Sequence, residues 1–167
     1  MQELSFVRVG EADAARVLAV YRSLVGTPGC SWNEHYPNAE TVDYGIRTGS
    51  QYMLVDGEGE IVCACGLFRE ADEITDPRFA WQGGFQKPCY FSGMGVAAAH
   101  QGKGIAGLML RHIIKTAADE GFDGAYALVA QSNDIARRAY SGFGFVVTGE
   151  AEYYGQMYDL YEMTLGV

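Results

Sequence analysis

The 167 residues fit one domain with enough chain to bury a core without disulfide staples. Hydrophobic residues make up 49% and charged residues 20%, an ordinary balance for a soluble globular protein, and no apolar run is long enough to span a membrane. A formal net charge of −9 argues against nucleic acid as a partner and mildly favours cationic substrates, although acidity also serves solubility alone.

In chain order, Met1-Gln2-Glu3-Leu4 lacks the basic-then-apolar pattern of a secretory signal, so a cytoplasmic protein is expected. Phe6 to Val9 reads as a first strand. Ala14, Val17, Leu18, Tyr21, Leu24 and Val25 recur at three- and four-residue spacing, the stripe of an amphipathic helix, which Thr27-Pro28-Gly29 ends. Cys30 to Asn38 looks like a structured loop and Ala39 to Thr48 like a short helix. Tyr52–Val55 and Ile61–Phe68, joined by Asp56-Gly57-Glu58-Gly59, read as a hairpin. Residues 69 to 88 have no clean period and are expected to form a long surface insertion.

Tyr90 to Val96 is a strand interrupted by Gly93 and Gly95, which suggests a bulge or a close approach to the backbone. Ile105, Leu108, Met109, His112, Ile113 and Thr116 trace a second helical stripe. Ala125–Ala130 reads as a buried strand, Asn133–Ser141 as a short helix capped by Asn133 or Ser132, and Val146–Gly149 and Asp159–Leu165 as closing strands. The cysteines Cys30, Cys63, Cys65 and Cys89 contain no CxxC pair and the three histidines are scattered. Buried thiols are expected, without a metal site or disulfide framework. The order β-α-α-β-β-β-α-β-α-β-β predicts a mixed sheet with helices on both faces, an α/β (α+β) class.

The informative stretch is Met94 to Gly107, where a strand enters a glycine-rich turn that opens a long helix. Glycines let successive N–H groups point into one concavity, and with the positive helix end they suit a pyrophosphate. Lys103 or Gln101 is placed to add a side-chain contact. The spacing is not that of a Walker loop. Gly102, Gly104 and Gly107 lie mid-chain behind an antiparallel-type hairpin, a poor setting for a dinucleotide fingerprint.

Gln101-x-x-Gly104-x-Ala106 resembles the Q/R-x-x-G-x-G/A coenzyme A motif of GNAT N-acetyltransferases, and Met94-Gly95-Val96 resembles that family's fourth strand. Asn133 to Phe145 is similar to its N-x-x-A-x-x-x-Y-x-x-x-G-F segment. Position 98 is Ala where many relatives have Pro, and the 69–88 insertion lies outside the general pattern. The resemblance runs from about Phe6 to Leu165. It implies a single domain over 1–167 with a central, mostly antiparallel mixed sheet flanked by helices and splayed between the fourth and fifth strands.

It also implies an enzyme that moves an acetyl group from acetyl-coenzyme A to a primary amine by direct attack in a ternary complex. A small-molecule acceptor is expected, without nucleic acid or membrane, by a monomer or homodimer. The cofactor contacts implied are Met94, Gly95, Val96, Gln101, Gly102, Lys103, Gly104, Ile105, Ala106, Gly107, Asn133 and Tyr140. Tyr140 matches the general acid that protonates the leaving sulfur. Glu34 is the candidate base, with Glu70, Asp72 and Glu73 behind it, and the tyrosines of the 150–162 tail are candidates for an acceptor pocket or a dimer contact. The alternative from another class is a non-catalytic acyl-coenzyme A-binding sensor or subunit.

Overall fold

The computed structural model describes residues 3–166. The hydrogen-bonded strand order is β1-β2-β3-β4-β5-β7-β6 in one seven-stranded mixed sheet. The chain divides into two compact units, residues 1–66 with 93–109, and residues 67–92 with 110–167.

The first unit begins with β1 (Ser5–Arg8), α1 (Ala14–Leu24) and α2 (Ala39–Arg47), followed by β2 (Gln51–Val55) and most of β3 (Ile61–Phe68). β2 pairs antiparallel with both β1 and β3, with Leu54 opposite Cys63 and an irregularity at Leu54/Val55. The β2–β3 turn forms because the Asp56 carboxylate accepts the amides of Glu58 and Glu60, each at 2.9 Å, while Gly59 takes φ +82°. Asn38 caps α2 by accepting the Thr41 amide at 3.0 Å. The predicted helical stripe is buried: Val17, Tyr21 and Leu24 face inward, and Val9, Val42, Met53, Ile61 and Ala64 join Val17 and Tyr21 in one cluster. Each fully buried Val, Leu, Ile or Met side chain there contributes roughly 1.5–3 kcal/mol by leaving water. β4 (Pro88–Val96) ends in this unit, where the Ala97 amide donates to the Val62 carbonyl at 2.9 Å, and the first turn of α4 (Ile105–Asp119) follows.

In the second unit the start of β4 pairs in parallel with β5 (Gly124–Ala130), from Pro88↔Gly124 to Phe91↔Ala127. β7 (Gln156–Thr164) lies antiparallel between β5 and β6 (Val146–Tyr153). α5 (Asp134–Gly142) places Tyr140 edge-on to Phe145, with ring centroids 5.1 Å apart, and Phe145 in turn meets Phe91 at 5.8 Å.

Two expectations about extent change. β6 and β7 run on to a tight turn at Tyr154-Gly155, both at positive φ, so the tail is a hairpin and not a loop between two short strands. The 69–88 segment carries a one-turn helix, α3 (Asp72–Thr75), and is more than surface: Phe79 is 3% exposed and Trp81 stacks on Tyr126 at 4.2 Å. The Glu162 carboxylate accepts the amides of Gln82 (2.8 Å) and Gly83 (2.7 Å) and the Thr148 hydroxyl (2.5 Å), while Asp123 accepts the amides of Gln86 and Lys87, each at 2.8 Å. Cys63, Cys65 and Cys89 are buried, whereas Cys30 is half-buried. No helix among the described residues is long and apolar enough to cross a membrane.

Candidate functional site

The glycine turn forms as its spacing requires. Gly102 and Gly104 take φ +77° and +78°, a left-handed conformation that costs an L-residue roughly 1–2 kcal/mol. A Cβ added at either would meet nothing within 4 Å, so both border open space. α4 begins at Ile105, and the Gly104 carbonyl accepts the first intrahelical bond, from the Leu108 amide at 3.1 Å. Gln101, Gly102, Lys103 and Gly104 are exposed and Ile105, Ala106 and Gly107 half-buried, so the opening of the helix, with its orphan amides and positive dipole end, is reachable from solvent. The Gln101 side chain turns inward and donates Nε2–H to the Val96 carbonyl at 3.1 Å, which ties the turn to the end of β4. Backbone donors, left-handed glycines and the Lys103 ammonium together fit a multiply charged phosphate group.

The turn follows a strand that is itself interrupted. Gly93 takes φ +69° within β4, and its carbonyl accepts the Tyr21 hydroxyl at 2.7 Å. A Cβ at Gly95 would come within 3.1 Å of both Leu24 and Trp32, so that glycine is needed for packing. Met94 and Val96 are half-buried, and the Met94 sulfur lies 3.7 Å from the Cys63 thiol. Burial pushes the Cys63 and Cys65 thiols up, Cys65 to about 12, so both remain protonated.

In the second unit Asn133 is the N-cap of α5, accepting the Ala136 amide at 3.1 Å. Tyr140 is 4% exposed, its ring against Phe145 and Tyr161. Glu34 belongs to the first unit, and its carboxylate is 83% exposed, 3.3 Å from His35, while its carbonyl accepts from the Arg22 guanidinium. Glu73 accepts the Tyr153 hydroxyl at 3.1 Å. Burial, then Glu73, hold that phenol well above its ordinary range. Of the tail tyrosines, Tyr161 is buried and Tyr154 is 85% exposed. A cavity of about 360 Å³ also lies in this unit, walled by Phe85, Val146, Met163 and Glu162. Its one carboxylate already accepts three donors, which leaves little chemistry for a ligand.

Sequence reasoning passed over two polar residues of the first unit, Tyr21 and Gln51. In the sequence Tyr21 is one member of an apolar stripe, with no local sign of a polar partner. Gln51 heads the apolar strand β2 and is 4% exposed, and a buried amide at such a position needs partners.

Comparison with known proteins agrees with the resemblance. The family model of the acetyltransferase (GNAT) family matches residues 17–145. No curated protein is a significant match to the chain. Among solved structures, a GNAT-family acetyltransferase of Streptococcus agalactiae superposes with a TM-score of 0.81 at 13% identity, over 96% of this chain and 95% of that one. A Salmonella typhimurium protein solved with its cofactor acetyl-coenzyme A gives 0.73 at 18% identity, over 98% and 94%. The ribosomal-protein-S18-alanine N-acetyltransferase of Escherichia coli gives 0.75 at 12% identity, over 99% and 96%.

Proposed function

The chain belongs to the GNAT acetyltransferase family, and we propose that it transfers an acetyl group from acetyl-coenzyme A to the primary amine of a small molecule. The observation that carries this reading is the left-handed Gly102/Gly104 turn, open to solvent, at the mouth of α4. The family match crosses both compact units, which supports treating 1–167 as one functional domain.

In this reading the amides of Gly102, Lys103, Gly104, Ile105 and Ala106 hold the pyrophosphate, Gly107 keeps the first helical turn slim, and Gln101 braces the turn. The backbone of Met94, Gly95 and Val96 pairs with the pantetheine arm and offers an N–H to the acetyl carbonyl oxygen as charge develops there. Acetyl-coenzyme A supplies an activated thioester, and holding it beside the amine provides most of the acceleration. Tyr140 gives its proton to the departing sulfur, and its shielding from water suits a group that must keep that proton until then. Asn133 orients the start of α5 against the cofactor. The acceptor ammonium gives one proton to Glu34, the freed amine nitrogen bonds to the acetyl carbon as the C–S bond breaks, and the second proton that nitrogen sheds replaces the one Tyr140 gives to sulfur.

The acidic balance of the chain supports a cationic acceptor. The likeness to an enzyme whose substrate is a ribosomal protein makes a protein amine the second reading. Calorimetry of the purified protein with acetyl-coenzyme A, against ATP and NAD, tests the first step. Saturable binding of acetyl-coenzyme A alone is expected. Thiol release with small amines and with N-terminal peptides then separates the two acceptor classes. Absence of binding would remove the reading.

A further inference from the structure

A carbonyl inside a strand normally points along the sheet to a neighbouring strand. That of Gly93 accepts a side-chain hydroxyl, Tyr21 Oη of α1, at 2.7 Å. Tyr21 Oη in turn accepts Nε2–H of Gln51 at 2.9 Å, and this nitrogen also lies 3.3 Å from the Cys65 carbonyl of β3. Tyr21 is 2% and Gln51 4% exposed, so no water replaces any of these partners. Gly45 of α2 gives the Gln51 amide its room, since a Cβ there would stand 3.3 Å from Oε1. Trp32 meets the Tyr21 ring edge-on at 5.1 Å and closes over Gly95. Helix α1 therefore bonds, through Tyr21, the peptide of β4 at which the strand turns left-handed, and Gln51 of β2, itself bonded to β3, holds that tyrosine.

We infer that Tyr21, held by Gln51, is a positioning residue for acetyl transfer: by fixing the Gly93 carbonyl it sets the direction of the Met94–Val96 amides that meet the acetyl carbonyl. The inference rests on the proposed acetyltransferase reading of that strand. Peptide planes in a strand are linked in series, so a plane locked at Gly93 limits how the next amides rotate. Donors aligned before the reaction cost no reorganisation when charge develops. Tyr21 itself neither gives nor takes a proton, because burial, above all, keeps its phenol protonated.

The test uses the full chain and acetyl-coenzyme A labelled with carbon-13 at the thioester carbonyl. Wild type is expected to bind it with the carbonyl stretch lowered by hydrogen bonding. Tyr21→Phe keeps the ring and loses both hydrogen bonds. It is expected to bind coenzyme A within about threefold of wild type, to lose most of the carbonyl shift, and to lower kcat about 10- to 100-fold with KM for acetyl-coenzyme A little changed. Gln51→Met, which leaves the Tyr21–Gly93 bond in place, is expected to give a smaller loss in the same direction, and serves alone if Tyr21→Phe does not fold. A folded variant that retains both kcat and the carbonyl shift overturns the inference and leaves the function standing. Wild type that does not bind acetyl-coenzyme A overturns the function itself.

Discussion

Two groups of glycines are alike in the sequence and opposite in the structure. Gly102 and Gly104 face empty space, and what they contribute is a left-handed backbone. At Gly83 and Gly124 a Cβ would land 2.4 Å and 2.1 Å from the Phe85 ring, and what these glycines contribute is a vacancy that the protein fills itself. A glycine that makes room for a neighbour belongs to stability. The open space beside Gly102 and Gly104 differs from that beside turn glycines such as Gly59 and Gly155 in lying at the mouth of a long helix, where the proposed cofactor would sit.

The strongest way to break this contrast is to put side chains at the open pair. Gly102→Val with Gly104→Val is expected to weaken acetyl-coenzyme A binding about 100-fold, near 2.7 kcal/mol by calorimetry. The same change costs roughly 1–2 kcal/mol of stability per site through the left-handed backbone. Binding that survives would mean that the turn only packs. Gly124→Ala tests the other side: overpacking against Phe85 is expected to cost about 2 kcal/mol in urea unfolding, with cofactor affinity unchanged.

A milder probe is Glu162→Gln, which keeps the shape but turns an amide N–H₂ toward one or more donors of Gln82, Gly83 and Thr148. A loss of about 1–2 kcal/mol is expected, with faster amide exchange confined to residues 79–87. The smallest effect is chemical. Cys65 and Cys89 are pushed up to about 12, mainly by burial, so both stay protonated at pH 8.5, and native-state alkylation should mark Cys30 first, as peptide mapping would show. Because those pKa values are raised on folding, the stabilisation is complete below the ordinary thiol value of 9.0 and is lost as pH rises toward 12. Replacing both thiols by alanine should flatten that alkaline decline.

Local signals carried most of the architecture. The stripe of Val17, Tyr21 and Leu24 and the spacing of Gly102 and Gly104 are complete within a few turns of chain, so the helix and the glycine turn were legible. The β6–β7 turn was not, because Glu150 and Glu152 break the apolar run and Tyr154-Gly155 lacks the usual Asn-Gly pair. The anchoring of the insertion was hidden for another reason: Glu162 lies 80 residues from Gln82. The Gly93 tether joins positions 72 residues apart, and no periodicity reports such a pair. Within the candidate site, the turn and the Asn133 cap were readable, whereas the solvation of Glu34 and the inward hydrogen bond of Gln101 depend on loop conformation.

The chain passes from one compact unit to the other at Gly66/Leu67, back at Ser92/Gly93, and across again at Met109/Leu110. Neither unit is therefore a contiguous gene fragment. During synthesis the first unit cannot close until residue 109 has left the ribosome, although its first 66 residues emerge much earlier. The hairpin β2–β3 and helices α1 and α2 must wait through the whole 67–92 segment for the strand end that Tyr21 binds. A split of this protein into two complementing pieces would have to divide at least one unit, whichever single bond were cut.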